Sequence, residues 1–199
     1  MGLRATAQEQ YMPIKTIFSY TFSDAKIYDD TLFVACENGL YAYSLKTENP
    51  KWEAYGFDGM NIRNFVKSDQ KIMAVCHQQD DIARLSLLLS YDKGSSYTNI
   101  NASIGFSDSQ VGGGKQLSIH QALDSPDHVF IILPVASENP MASYSGQVLE
   151  SADFGNQWSV KASKVPANSK IVFASDPNHA MVYGRYDAVD CVCPYLLET

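Results

Sequence analysis

Ser90-Tyr91-Asp92-Lys93-Gly94-Ser95-Ser96-Tyr97 has a counterpart further along the chain, Ser151-Ala152-Asp153-Phe154-Gly155-Asn156-Gln157-Trp158. Both read Ser-x-Asp-x-Gly-x-x-aromatic, and both follow an apolar run, Leu87-Leu88-Leu89 in one and Val148-Leu149 in the other. Identical spacing after two separate runs marks an internal repeat, which constrains a fold more than any single element does. The residue types suit a tight reversal. A short aspartate side chain bonds backbone N–H groups nearby and imitates a turn. Glycine two positions later takes positive φ without steric cost. The serine adds a hydroxyl to the same turn, and the aromatic residue starts the returning strand and packs over the hairpin. Ser90, Asp92, Gly94, Tyr97, Ser151, Asp153, Gly155 and Trp158 are therefore structural. The two aspartates are poor candidates for catalytic carboxylates.

Working outward from these turns, the chain divides into four repeats of antiparallel strands. The first has strands at Ala25–Tyr28, Leu32–Cys36, Leu40–Ser44 and Trp52–Tyr55, with Glu37-Asn38-Gly39 as a hairpin turn. Its own Ser-x-Asp turn has decayed, with Lys46 in the aspartate position. The second has Ile62–Val66, Lys71–Cys76, Leu85–Ser90 and Tyr97–Ile100. The third has Leu117–Ala122, His128–Leu133, Gln147–Ser151 and Trp158–Ala162. The fourth has Ile171–Ala174, Ala180–Gly184 and Tyr195–Thr199. Strands such as Ile72–Cys76 and Val129–Leu133 are apolar without alternation, which fits sheets covered on both faces.

These motifs resemble the Asp-box, or bacterial neuraminidase repeat, β-propellers, a group that includes sialidases, xyloglucanases, sortilin-type receptors and a photosystem assembly factor. The resemblance covers the chain from about Phe18 onward. It implies an all-β propeller of four-stranded antiparallel blades, with about three and three-quarter blades present. Residues 1–12 are expected to be a flexible N-terminal segment and residues 13–199 one partial propeller. Three arrangements compete: a sector of a six- to eight-bladed ring, a four-bladed ring closed by Ile14–Tyr20, and strand exchange between two chains. An open sector would leave blade edges exposed for self-association.

Composition narrows the function. Over 199 residues, 45% are hydrophobic and 12% aromatic, and the net charge is −7. That charge argues against a nucleic acid partner, which needs clustered Lys and Arg. No apolar stretch reaches the length of a membrane span. Ala5-Thr6-Ala7 has the small-x-small look of a cleavage site and suggests a periplasmic or secreted protein. Cys36 and Cys76 each end an equivalent strand and read as small buried residues. Cys191-Val192-Cys193 lacks zinc spacing. Neither a cofactor nor a metal is expected. Gly112-Gly113-Gly114-Lys115 lacks phosphate-loop spacing and reads as a flexible loop.

In propellers of this kind, the connections between blades and those from second to third strand share one rim, whereas the Ser-x-Asp turns lie on the other. The longest connections fall on the first rim: 101–116, 136–146 and 77–84. They and the neighbouring strand ends offer Arg63, His77, Asp81, Arg84, Tyr144, Arg185 and Asp187 as ligand-binding candidates. Arginine, tyrosine and aspartate around a central opening suit a sugar, a carboxylate or a peptide. The plainer reading is scattered, solvated loop polarity.

The resulting expectation is a non-catalytic module binding a glycan or protein ligand on that rim. The alternatives are part of a sialidase-like or xyloglucanase-like glycoside hydrolase, and an assembly scaffold. A sialidase uses three arginines, a Tyr–Glu nucleophile pair and an aspartate acid/base. Asn61-Ile62-Arg63-Asn64 stands nearest to its first arginine motif but lacks the aromatic residue and the proline, so no catalytic residue is assigned. A hydrolase with paired carboxylates would need two that face each other, and nothing in their spacing favours Asp81 and Asp187.

Overall fold

A computed structural model describes residues 21–48, 50–78, 81–106, 117–123, 125–135, 145–166, 169–173, 179–186 and 189–198. Among these there is no α-helix, only a 3₁₀ turn at Ala102–Ile104. The strands form three sheets of four and one of three, each antiparallel and in chain order. The first sheet holds β1 (Phe22–Tyr28), β2 (Thr31–Cys36), β3 (Gly39–Ser44) and β4 (Trp52–Gly56). The second holds β5 (Asn61–Ser68), β6 (Lys71–Gln78), β7 (Asp81–Ser90) and β8 (Thr98–Asn99). The third holds β9 (Ser118–Gln121), β10 (Val129–Val135), β11 (Ser145–Ser151) and β12 (Ser159–Pro166). The fourth holds β13 (Lys170–Phe173), β14 (His179–Tyr186) and β15 (Val189–Glu198).

The first strands of successive sheets are neighbours, β1 beside β5, β5 beside β9 and β9 beside β13. The sheets thus fan out from a common centre as propeller blades, and the fold is a partial β-propeller. Every strand expected from sequence is present, with ends shifted by a few residues. Strand β15 starts earlier than expected, at Val189, because the second-to-third connection of that blade is short. Residues 14–20, proposed as a ring-closing strand, lie outside the described residues, as does the 112–115 glycine loop.

The unbroken apolar strands have the cause anticipated for them. Along β6, Ile72, Ala74 and Cys76 pack toward the first blade, while Met73 and Val75 pack toward the third. Along β10, Val129, Ile131 and Leu133 face the second blade, and Phe130 and Ile132 face the fourth. Period-two alternation delivers successive side chains to opposite faces, and both faces here are interior. Cys36 and Cys76 are buried free thiols, and burial pushes Cys76 up to about 12, so neither is a ready nucleophile.

Both Ser-x-Asp turns form as their residues dictate. The Ser90 hydroxyl accepts the Gly94 N–H at 2.7 Å and donates to Asp92 Oδ1 at 2.8 Å, and that oxygen accepts the Ser96 N–H at 2.8 Å. In the third blade the same three bonds measure 2.7, 2.8 and 2.9 Å, with Gln157 in place of Ser96. Lys93 and Phe154 sit at φ +61° and +56°, and Gly94 and Gly155 continue at +83° and +94°. Each turn is tied to the first hairpin of its own blade, by Lys93 N–H to the Gln70 carbonyl and Phe154 N–H to that of Asp127. In the decayed first turn, Leu45 N–H bonds the Asp30 carbonyl, and Lys46 pairs with the Asp30 carboxylate at 2.5 Å. A cross-hairpin ion pair has replaced the internal aspartate.

Candidate functional site

Two irregularities of the second blade put its arginines on one rim. In β5, Ile62 pairs with Cys76 and Asn64 with Val75, so Arg63 is the extra residue of a bulge. In β7, Leu85 pairs with His77 but Asp81 with Gln78, so Arg84 lies in a second, wider interruption beside the same stretch of β6. Bulges bend a strand and re-aim side chains, and they concentrate at rims and functional sites. Arg63 and Arg84 are both exposed, and the half-buried His77 stands between their strands.

Arg63 Nη1 lies 3.2 Å from His77 Nε2. A guanidinium has no acceptor, so in this contact Arg63 donates and His77 Nε2 accepts. Of the candidates named from sequence, the fold bonds Arg63 to His77 and places Arg84 next to Leu85, the β7 partner of His77. Asp81 is close in register, at the start of β7. Arg185 lies in β14, paired with Val192 in another blade. Tyr144 and Asp187 lie outside the described residues.

A polar seam near the centre escaped the sequence reading. Asp24 Oδ2 of β1 accepts the Asn64 side-chain N–H at 2.9 Å and the Phe65 backbone N–H at 3.2 Å. Asn64 Oδ1 in turn accepts the Ile119 N–H of β9 at 2.8 Å. Asp24 and Asn64 hold equivalent positions, each directly after a bulged residue, Ser23 and Arg63. Strands β1 and β5 thus each grip the backbone of the next inner strand. Lys26 pairs with Asp24 at 3.3 Å and lies over the Phe65 ring. Burial pushes His120 down to about 4, and the cations of Lys26 and Lys170 add to that shift. The signal in the sequence is a polar residue two positions after the first apolar residue of the inner strand, Asp24 after Phe22 and Asn64 after Ile62. It is too short to separate from ordinary alternation.

The Ser-x-Asp turns are less remote from the inter-blade connections than expected. Phe57, just after β4, donates its N–H to the Gly94 carbonyl at 3.0 Å, and its ring stacks on Tyr97 at 5.4 Å. The Tyr97 hydroxyl also meets Met60 Sδ at 3.6 Å. The second turn therefore packs laterally on the connection leading into its own blade. Similarly, Gly155 lies against Met73 and Leu89 of the preceding blade. Both turns thus pack between blades, while each stays bonded to the first-hairpin end of its own blade, in the second blade the end opposite Asn61 and His77.

No family model and no curated protein matches the chain. Among solved structures, the N-terminal domain of Nup159 is similar over 92% of the chain, at 14% identity and a TM-score of 0.43. A thermostable family-43 glycoside hydrolase is similar over 92% of the chain, at 9% identity and a TM-score of 0.42. The chain spans 51% of the Nup159 domain and 70% of the hydrolase. Both likenesses are distant, and the fold assignment rests on the sheets themselves. Among the described residues, no group of three or more His, Cys, Asp or Glu side chains could hold a metal ion. No helix there is long and apolar enough to cross a membrane.

Proposed function

We propose that this chain is a non-catalytic Asp-box propeller module that binds a glycan or protein ligand through the rim carrying Arg63, His77 and Arg84. The matching hydrogen-bond patterns of the Ser90–Tyr97 and Ser151–Trp158 turns support the Asp-box assignment. The observation that carries the binding reading is the pair of strand irregularities that present two exposed arginines beside one histidine. Two guanidiniums on a chain of net charge −7 form a local cationic spot. Guanidinium forks bond carboxylates in pairs of parallel hydrogen bonds, so the ligand group that fits is an anion on a sugar or a peptide. A periplasmic or secreted location accords with such a ligand.

The test is an array of neutral oligosaccharides, uronic-acid oligosaccharides and acidic peptides, probed with the wild type, Arg63→Ala and Arg84→Ala. Each variant is expected to lose at least about tenfold in affinity for the acidic probes, as for a lost charge-assisted bond, with an unchanged melting temperature. Equal binding by all three proteins would remove the rim from consideration. Turnover of a chromogenic glycoside by the wild type would replace the binding reading with the hydrolase one.

A further inference from the structure

The inner strands β1, β5, β9 and β13 follow one another around the centre. At the end nearest their hairpin turns, the first three are locked together. The Tyr28 hydroxyl accepts the Lys67 N–H at 3.3 Å and donates to Gln121 Oε1 at 3.0 Å, and Gln121 Nε2 donates to the Lys67 carbonyl at 2.8 Å. Burial pushes Tyr28 up to about 12, so the hydroxyl keeps the proton that this lock needs. Toward the other end, where the strands begin, the side chains are basic. Lys26 stands two residues before Tyr28 in β1, His120 directly before Gln121 in β9, and Lys170 at the start of β13. The Lys26 side chain is 28% exposed, His120 is half-buried and Lys170 is exposed, so solvent reaches all three. The Ser118 hydroxyl lies 3.1 Å from His120 Nε2.

The charges of Lys26 and Lys170 both act on His120 and, after burial, hold it down. Groups able to carry positive charge thus converge from three blades. Among the described residues, Asp24 is the one carboxylate whose charge reaches His120. It pairs with Lys26 and already accepts the Asn64 side chain and the Phe65 N–H. Lys170 has no acidic partner among the described residues. A chain of net charge −7 therefore gathers poorly neutralised positive charge at its centre. Like charges between low-dielectric walls focus a field that draws in a counter-ion, and strained titratable groups of this kind cluster at functional sites. Lysine is a point charge on a flexible stem and suits a tetrahedral oxyanion approached from several sides, whereas the planar forks of the arginine rim suit a carboxylate.

We propose that the recess between β1, β9 and β13 binds a phosphate or sulfate group through Lys26, Ser118, His120 and Lys170. The site uses none of Arg63, His77 and Arg84, so it stands or falls apart from the rim. The test titrates the full chain with inorganic sulfate and with a hexose phosphate by calorimetry at low ionic strength, and follows the His120 imidazole by NMR. A bound anion favours the imidazolium, so either probe should raise the His120 midpoint above its free value of about 4. By linkage, sulfate affinity should rise as pH falls from neutral toward that midpoint. Lys26→Gln and Lys170→Gln should each bind at least about tenfold more weakly, as for a lost charge-assisted bond. Lys51→Gln removes an exposed lysine outside the inner strands and should match the wild type. Tighter binding of the hexose phosphate would support the site with an ester as its occupant, and tighter binding of sulfate would support it with a free oxyanion. The NMR reading on the wild type stands even where a variant fails to fold. Absence of binding heat with both probes, or a His120 midpoint that neither moves, would overturn the proposal, as would an equal loss in Lys51→Gln.

Discussion

Within the third-blade turn, the serine should matter more than the aspartate. Ser151 and Gly155 are both buried, and the Ser151 hydroxyl is the acceptor for the Gly155 N–H at 2.7 Å. Removing it in Ser151→Ala strands a backbone donor away from water, which costs about 1–3 kcal/mol. Asp153 Oδ1 instead accepts the N–H of Gln157, an exposed residue, at 2.9 Å. In Asp153→Ala, water replaces the carboxylate there, and the loss is the net worth of a hydrogen bond, about 0.5–1.5 kcal/mol. Against a domain stability of about 5–15 kcal/mol, both effects are measurable. Urea unfolding at neutral pH, with equal slopes required, should order the midpoints wild type, Asp153→Ala, Ser151→Ala. If Asp153→Ala unfolds first, the hydroxyl is not the centre of the turn and the accounting by burial fails.

Acid should weaken the fold in two stages. His120 is held down at about 4 by burial and by Lys26 and Lys170, against 6.5 when unfolded. The unfolded chain therefore gains a proton first, and stability falls between those values by at most about 3 kcal/mol. Hydrogen bonds from Ser96 hold Asp92 below the ordinary carboxylate range. Burial opposes the shift at Asp153, but the Gln157 N–H and the Ser151 hydroxyl outweigh it. Their support is present above the ordinary aspartate range and is lost as pH falls through the lowered one. Denaturant titrations across pH should show the upper stage flattened in His120→Asn, and an unchanged upper stage would refute its assignment. Gly94→Ala should lose about 1–2 kcal/mol or more from positive φ, because φ is +83° and the new Cβ would lie 2.7 Å from the Phe57 ring. A melting temperature equal to wild type would contradict that packing. Asn64→Ala strands the Ile119 N–H and should lower stability by about 1–3 kcal/mol. Faster hydrogen exchange at Ile119 would locate the damage, and unchanged exchange there would count against the seam.

Local chemistry alone made the blades legible. The turns are encoded within eight residues, because serine, aspartate and glycine satisfy one another without distant partners. The strand count followed from apolar runs punctuated by such turns, and the buried state of Cys36 and Cys76 followed from their equivalent places. The decayed first turn was also visible in Lys46, although its partner Asp30 was not. What the tertiary structure alone decided are the contacts between strands and between blades. A bulge depends on the register of two strands, so nothing local to Arg63 or Arg84 announces that both are displaced beside His77. The grip of Asp24 and Asn64 on the next inner strand joins residues some forty to fifty-five positions apart. The stacking of Phe57 on Tyr97 spans a whole blade. Short-range hydrogen bonding is written in adjacent residue types, whereas the meeting of distant side chains is set by how sheets twist and pack, which no single stretch of sequence contains.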